Sequence, residues 1–318
     1  MKAPRNRTLS LTNADKKRLS KHFAEIKGKL KSTQKIVDKI LNVDFFKVAK
    51  YFPTNFVDLL FIDPPYNLSK NFNSTSFRQQ KHDEYEKWVD SWLTLMIPML
   101  KDTASVYICG DWRSSGVLQR LCEKYFVVRN RITFEREKGR GSKKNWKNNS
   151  EDIWFCTMSD DFVFNSDAVK LKRRVVAPYR ENQKPKDWKQ TDEGNFRLTY
   201  PSNLWTDISI PFWSMPENTP HPTQKPEKLL AKIILASSNP GDFVLDPFAG
   251  VGTTGVVANK LGRKFTMVEI DKEYSLYAQK RLELASESLL IQGYRDSVFW
   301  ERNTHSMQNS PKQNKNSD

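Results

Sequence analysis

A glycine-rich turn between an apolar strand pattern and a helical pattern constrains the fold of this chain more than any other feature. Residues 243–245 read FVL, residues 246–255 read DPFAGVGTTG, and a helical pattern follows to residue 261. Glycines in such a turn let the backbone approach a ligand, and the helix that follows offers free N–H groups to an anion. The next strand pattern ends on Glu269, a carboxylate that suits hydrogen bonds to ribose hydroxyls. This unit predicts a nucleotide-binding α/β fold.

Strand and helix patterns alternate through most of the rest of the chain. The run VDLLFI at 57–62 has the pattern of a strand covered on both faces. Helical and strand patterns then alternate up to residue 157 and again over 226–285. This alternation predicts an α/β fold with a mostly parallel, doubly wound sheet. The segment 160–217 is rich in Pro, Asn, Trp and Lys without a sustained period, and it predicts an irregular insertion.

Charge and composition narrow the classes of partner. Lys and Arg outnumber Asp and Glu by 52 to 37, which gives a net charge of +15. Such a surface favours a polyanion, because each neutralised phosphate releases condensed counterions. No apolar run reaches membrane-spanning length and no signal peptide opens the chain, so we expect a cytoplasmic protein without a membrane partner. The spacing of Cys109, Cys122 and Cys156 predicts three buried thiols, no disulfide framework and no metal site.

A second motif, Asp63-Pro64-Pro65-Tyr66, follows the apolar strand pattern at 57–62. Asp63 and the carbonyl of Pro64 can each accept one hydrogen bond from an exocyclic amino group, and the two prolines stiffen that carbonyl. Tyr66 offers a flat face on which an extruded base can stack. Because both motifs follow strands of one parallel sheet, Asp63 and Asp246 are expected to face the same crevice.

The two motifs and their order resemble the β-class amino-methyltransferases of bacterial restriction–modification systems. In that family the Asp-Pro-Pro-Tyr motif precedes the Phe-x-Gly motif, the reverse of the order in most methyltransferases. The resemblance extends over about residues 40–284. It implies a circularly permuted Rossmann-like methyltransferase fold and S-adenosylmethionine as the cofactor. It also implies methyl transfer to N6 of adenine in duplex DNA, with the target base flipped out of the helix.

The resemblance also implies roles for individual residues. Asp63, Pro64, Pro65 and Tyr66 are the predicted catalytic residues. Residues 221–226, HPTQKP, match a family signature almost letter for letter, which implies that Thr223 and Lys225 lie near the methionine carboxylate. The complete set of predicted cofactor contacts is Asp44, Phe45, Asp63, His221, Thr223, Lys225, Asp246, Phe248, Ala249, Gly250, Gly252, Thr253, Thr254, Glu269, Ile270 and Asp271.

Basic clusters and composition shifts divide the rest of the chain. Residues 145–151 resemble the family segment that borders the target-base pocket, and the family's target recognition lies in the region that corresponds to 160–217. The predicted DNA contacts are Arg136, Lys138, Arg140, Lys143, Lys144, Arg173 and Arg174. The predicted divisions are a basic N-terminal extension (1–40), a catalytic half (41–159), a recognition segment (160–217), a cofactor-binding half (218–290) and a disordered tail (303–318).

Three alternatives remain open at this point. A cytosine-N4 methyltransferase is the nearest, although Asp63 stands where the family more often has Ser for cytosine. A nicotinamide-dependent oxidoreductase could use Gly250–Gly255, but only about one strand–helix–strand unit surrounds that motif, which disfavours it. A DNA-binding module without catalysis would be distinguished by failure to bind S-adenosylmethionine. The recognition sequence, a homodimer and a cognate restriction endonuclease are further open points.

Overall fold

The structure of the protein is a computed structural model, and it describes residues 5–71, 73, 76–136, 141–175, 179–182, 184–191, 194–302 and 304. Its helices are α1 (Asn13–Leu19), α2 (Phe45–Val48), α3 (His82–Met96), α4 (Ser115–Tyr125), α5 (Glu227–Ser237), α6 (Thr253–Lys260) and α7 (Lys272–Glu287). Its strands are β1 (Lys39–Leu41), β2 (Val57–Ile62), β3 (Lys70–Asn71), β4 (Ser76–Phe77), β5 (Leu100–Gly110), β6 (Val127–Glu135), β7 (Ser150–Thr157), β8 (Leu171–Arg174), β9 (Arg180–Glu181), β10 (Lys184–Pro185), β11 (Lys189–Thr191), β12 (Gly194–Thr199), β13 (Leu204–Trp205), β14 (Phe243–Asp246), β15 (Lys264–Val268), β16 (Tyr294–Arg295) and β17 (Val298–Trp300).

A mostly parallel sheet forms the centre of the molecule. Its strand order is β1-β15-β14-β2-β5-β7-β6-β13. Neighbouring strands run parallel except at β7, which is antiparallel to both β5 and β6. The predicted mostly parallel α/β sheet is therefore confirmed.

Hydrophobic side chains from both faces of the sheet are buried, as a doubly wound sheet requires. Within β2, Leu60 and Ile62 belong to a cluster with Trp92 of α3, whereas Leu59 and Phe61 belong to a second cluster with Ile233 of α5. This alternation follows from the period of two along a strand. The three cysteines are buried and free, as predicted.

The chain changes its winding direction between β14 and β2, which lie side by side. From β14 it continues through α6 to β15 on one side, and from β2 through α3 to β5 on the other. A crevice opens outside the carboxyl ends of the strands at such a switch point, and ligands bind there. The two sequence motifs follow these two strands.

The segment 160–217 was predicted to be irregular, and the structure shows short strands in part of it. Its strands β11, β12 and β8 form a five-stranded sheet with β17 and β16. Phe299 of β17 pairs with Leu171 of β8 across more than a hundred residues of sequence. The strands are short and half exposed, and β8 has a partner distant in sequence, so no local periodicity marked them.

Residues 9–15 pack on α7 and on the turn that precedes α6. Leu9 and Leu11 contact a buried cluster that contains Val251 and Tyr274, and Asp15 forms an ion pair of 3.1 Å with Lys280. The predicted boundary at residue 40 falls inside β1, so the extension merges with the central sheet. The predicted tail lies outside the described residues except for Thr304. No helix among the described residues is long and apolar enough to cross a membrane.

A buried ion cluster joins Asp207 to α5. Asp207 Oδ1 accepts a hydrogen bond from Lys232 (2.6 Å), and Asp207 Oδ2 lies 2.7 Å from Lys228 Nζ in an ion-pair contact outside hydrogen-bond geometry. All three side chains are buried. Loss of one partner would leave buried charge uncompensated, which is far more costly than loss of a surface pair.

We therefore expect Asp207→Asn to lower the free energy of unfolding by about 3–5 kcal/mol. The matched control is Asp187→Asn, because Asp187 pairs with Arg197 on the exposed surface, where such pairs contribute only about 0–1 kcal/mol. Urea unfolding of both variants provides the comparison. Equal, small effects would show that the buried cluster does not support the fold.

Candidate active site

Both sequence motifs reach one cavity of about 220 Å³ at the carboxyl edge of the central sheet. Asp63 follows β2, Asp246 ends β14, and these strands are paired through Val244 and Leu59. The cavity is lined by Phe61, Asp63, Pro64, Pro65, Tyr66, Leu68, Arg136, His221, Thr223, Gln224, Lys225, Asp246, Phe248, Ala249, Gly250, Val251, Thr253, Thr254, Glu269, Ile270, Asp271 and Tyr274.

Asp246 is a buried carboxylate held by two donors. The hydroxyl of Thr254 donates to Oδ2 (2.6 Å), and the N–H of Phe248 donates to Oδ1 (3.0 Å). Burial raises the pKa of Asp246 to about 7. Within the described part of the chain, no lysine or arginine forms an ion pair with it. Such a carboxylate suits a ligand that brings its own positive charge.

Glu269 follows β15 and stands at the same cavity. The N–H of Gly250 donates to Oε2 and the N–H of Asp271 donates to Oε1, both at 2.7 Å. Burial raises the pKa of Glu269 to about 7. Each carboxylate oxygen has a further lone pair, so the side chain is fixed in place and can still accept hydrogen bonds from a ligand.

The glycine-rich turn serves packing as well as ligand approach. Gly252 begins α6 with φ of 76°, a left-handed conformation that side chains disfavour. A Cβ atom there would lie 2.5 Å from the Cβ of Ala278 in α7. The residue therefore allows α6 and α7 to pack closely, and Gly252 is not among the residues that line the cavity.

Five ionisable residues form a cluster at the Asp63 end of the cavity. Lys225 Nζ lies 2.7 Å from each carboxylate oxygen of Asp63 and 3.3 Å from Oε2 of Glu151. The hydroxyl oxygen of Tyr66 lies 3.0 Å from Asp63 Oδ1 and 3.1 Å from Glu151 Oε2. Arg136 forms an ion pair with Glu151. Two cations thus face two carboxylates.

Burial and charge pairing determine the protonation of this cluster. Burial raises the pKa of Asp63, and Lys225 opposes that effect. Burial also acts to raise the pKa of Glu151, but Lys225 and Arg136 outweigh it and hold that pKa below its usual value. Burial acts to lower the pKa of Lys225, yet the two carboxylates raise it overall. Lys225 is therefore a charged donor, and burial raises the pKa of Tyr66 so that its hydroxyl stays neutral.

The cavity thus has two chemically different ends. One end offers carboxylates without a cationic partner, which suits a positively charged ligand with hydroxyl groups. The other end offers Asp63 and the carbonyl of Pro64 beside an aromatic ring. The turn is anchored because the hydroxyl of Tyr85 donates to the carbonyl of Pro65 (3.2 Å). None of the described residues donates to the carbonyl of Pro64, which is therefore open to a ligand. An amino group could be held by this second pair of acceptors.

The amino-acid sequence of this chain is similar to proteins of known function. Residues 57–280 match the family model described as DNA methylase. The chain is 36% identical over 254 residues to the DNA adenine methyltransferase YhdJ of Escherichia coli (strain K12), which covers 78% of this chain and 83% of that protein. The chain belongs to the DNA methylase family. The type II methyltransferase M.HpaI of Haemophilus parainfluenzae is 32% identical, over 74% of this chain and 71% of that protein.

Solved structures agree with this membership. The crystal structure of the M1.HpyAVI–SAM complex aligns with a TM-score of 0.50 at 26% identity, over 76% of this chain and 98% of that chain. The PvuII DNA methyltransferase, described as cytosine-N4-specific, aligns with a TM-score of 0.55. Because its identity is only 17%, that likeness supports the fold alone. Family membership excludes the nicotinamide-dependent alternative.

Most predicted site residues of the methylase meet in the cavity. All four predicted catalytic residues line it, as do thirteen of the sixteen predicted cofactor contacts. The exceptions are Asp44, Phe45 and Gly252. Asp44 caps α2 by accepting a hydrogen bond from the N–H of Phe46 (3.0 Å), and the ring of Phe45 is buried in the core. In the fold, Asp44 therefore caps a helix and Phe45 packs in the core.

Lys225 lies in the cavity, but its ammonium group contacts Asp63 and Glu151. The resemblance implied a place near the methionine carboxylate, and the structure shows this charge at the Asp63 end of the cavity. The reason is electrostatic, because two buried carboxylates at that end need a cation.

The predicted DNA contacts fall into three groups. Arg136 lines the cavity and is paired with Glu151. Lys143 and Lys144 are exposed on the loop between β6 and β7, whereas Lys138 and Arg140 lie outside the described residues. Arg173 and Arg174 belong to β8 of the smaller sheet, and the guanidinium of Arg173 lies 3.9 Å from Glu301.

Sequence reasoning missed Glu151 and, among the residues that line the cavity, Phe61, Leu68, Gln224, Val251 and Tyr274. Glu151 was quoted only as the end of a segment, although a charged residue just before the apolar run 153–156 was a usable signal. Tyr274 lines the cavity and packs edge-on against His221, with ring centroids 4.4 Å apart. Its position in the first turn of α7 looked like an ordinary helix start, and only tertiary packing reveals it.

Proposed function

We propose that this methylase transfers a methyl group from S-adenosylmethionine to N6 of adenine within one short sequence of duplex DNA. The observation that carries the proposal is that Asp63 and Asp246 end neighbouring parallel strands and face one cavity. One carboxylate can hold an amino-group acceptor while the other holds the cofactor. Positioning the two reactants in this way is the main catalytic resource.

Asp246 and Glu269 provide the features that the cofactor needs. The unpaired, buried carboxylate of Asp246 would bind the methionine ammonium, and Glu269 would accept hydrogen bonds from the ribose hydroxyls. S-adenosylmethionine, when bound, supplies a methyl group on a sulfonium sulfur, which is already a good leaving group. The transfer would break the sulfur–carbon bond as the nitrogen–carbon bond forms, and the proton that N6 loses would be released to water, so no protein nucleophile would be required. Burial of Asp246 and Glu269 strengthens both contacts because water does not compete.

Asp63 and the carbonyl of Pro64 would receive the two hydrogens of the adenine amino group. Holding both hydrogens draws electron density toward N6, whose lone pair is otherwise delocalised into the purine ring. Lys225 Nζ donates to both oxygens of Asp63. Oδ2 has a further lone pair, so the amino group could donate to Asp63 beside this contact, and Glu151 at 3.3 Å is a second partner for the ammonium.

Basic surfaces on both sides of the cavity would hold the DNA. Lys143 and Lys144 would contact phosphates, which carry no sequence information, whereas Arg173 or Arg174 could bond a guanine edge. We assign residues 160–217, with β16 and β17, to target recognition, and residues 218–290 to cofactor binding. A second copy of the chain and a restriction endonuclease that cleaves the same sequence are the two further partners included in this proposal.

Cytosine-N4 methylation is the nearest alternative, and Asp63 in place of Ser disfavours it. Expression of the protein in cells without endogenous DNA methylation, followed by sequencing that detects modified bases, tests the proposal. We expect modified adenines within one short sequence, and none when Asp63→Ala is expressed. Modified cytosines, or adenines without a common sequence, would contradict the proposal.

A further inference from the structure

We propose that Trp146 enters the DNA helix at the position that the flipped adenine vacates. This inference rests on the proposed function, because a gap arises only if the target base leaves the stack. The side chain of Trp146 is 98% exposed. A gap in the base stack is a flat site between two bases, on which an indole can stack and bury its apolar ring.

The loop of Trp146 is attached to the rim of the target pocket. Residues 136–149 connect β6 to β7, and the N–H of Arg136 donates to the carbonyl of Asn149 (2.8 Å), which closes the base of the loop. Arg136 lines the cavity and pairs with Glu151, whose Oε2 lies 3.1 Å from the hydroxyl oxygen of Tyr66. The loop thus starts and ends beside the ring on which the extruded base would stack.

The residues around Trp146 suit a DNA surface. Lys143 and Lys144 are exposed on the same loop, and phosphate contacts at such lysines would bring the loop against the duplex. Stacking of an aromatic side chain on a base raises the binding constant by roughly fivefold to 150-fold. In other DNA-binding proteins, apolar side chains insert between base steps. Stacking of the indole in the gap would offset part of the cost of flipping.

Trp112 provides a matched control on the neighbouring loop. It follows β5, whose Gly110 is paired with Asp152 of β7, so both tryptophans stand at the same edge of the sheet. Trp112 is 60% exposed, and the guanidinium carbon of Arg113 lies 5.3 Å from the centroid of its ring. Because that ring is partly covered, the structure assigns insertion to Trp146.

The test compares single-turnover methylation of two duplexes that carry the recognition sequence. In one duplex the target adenine is paired, and in the other it faces an abasic site, which makes flipping easier. We expect Trp146→Ala to be slower by about tenfold or more on the paired duplex and close to wild type on the abasic one. Trp146→Phe should keep most of the rate on both, and Trp112→Ala should behave as wild type.

Three results would overturn the inference. The first is a wild-type methylation rate for Trp146→Ala on the paired duplex. The second is an equal loss of rate for Trp146→Ala on both duplexes. The third is a slower rate on the paired duplex for Trp112→Ala and not for Trp146→Ala. Failure of the proposed function looks different, because the wild-type protein would then methylate neither duplex.

Discussion

Asp63→Ala is expected to slow methyl transfer by about 100- to 1000-fold, the range found when one hydrogen-bonding group is removed from a catalytic site. Binding of S-adenosylmethionine should stay near the wild-type value. The reason is that Asp63 belongs to the Lys225–Glu151 cluster, whereas the cofactor end of the cavity is formed by Asp246 and Glu269. Single-turnover rates and calorimetric titration of the cofactor measure the two properties separately.

Asp58→Ala is the matched control for this variant. Asp58 lies on the same strand, β2, and pairs with Lys101 at 2.8 Å, away from the cavity. We expect this variant to retain both activity and cofactor binding. If Asp63→Ala lost cofactor affinity as strongly as Asp246→Ala, the division of roles between the two carboxylates would be wrong.

Asp246→Asn is expected to weaken binding of S-adenosylmethionine by at least about 30-fold. Loss of one partner of a buried charge pair costs about 2 kcal/mol or more, which corresponds to that factor. The amide would keep the shape of the side chain and one of its two accepting oxygens while removing the charge that the methionine ammonium needs. Calorimetric titration at pH 8 measures the change.

The same contact should make cofactor binding depend on pH. Burial raises the pKa of Asp246 to about 7 in the free protein, and only the ionised form attracts the ammonium. Protonation therefore competes with binding as the pH falls, and protonation of Asp246 alone should lower the wild-type affinity about tenfold from pH 8 to pH 6. In Asp246→Asn this dependence should shrink to the part that Glu269 contributes. A flat wild-type profile would mean that Asp246 does not bind the ammonium as a carboxylate.

Sequence reasoning predicted the parts of this protein that depend on local pattern. The strand at 57–62 and the turn at 246–255 sit in a parallel sheet, where the carboxyl ends of strands meet at one edge. That rule predicted that Asp63 and Asp246 face one cavity, although the sequence does not give the distance between them. The alternation of helices and strands was sufficient for the mostly parallel fold.

Long-range pairing was what the sequence could not reveal. The smaller sheet joins β8 to β17, which are separated by more than a hundred residues, and neither strand is long enough to show a period. The contact of Lys225 with Glu151 likewise depends on two elements that are distant in sequence. Phe45 shows a different effect, because its aromatic ring beside an acidic residue fitted a cofactor pattern, whereas in the fold the ring is buried in the core.

The central claim is that the Asp63 pocket takes the amino group of adenine. Nucleoside analysis of duplex DNA, after incubation with the purified protein and S-adenosylmethionine labelled in its methyl group, tests this claim most directly. The account predicts that the label appears in 6-methyladenine, and that Asp63→Ala leaves the DNA unlabelled under the same conditions. Label in 4-methylcytosine alone would contradict the account.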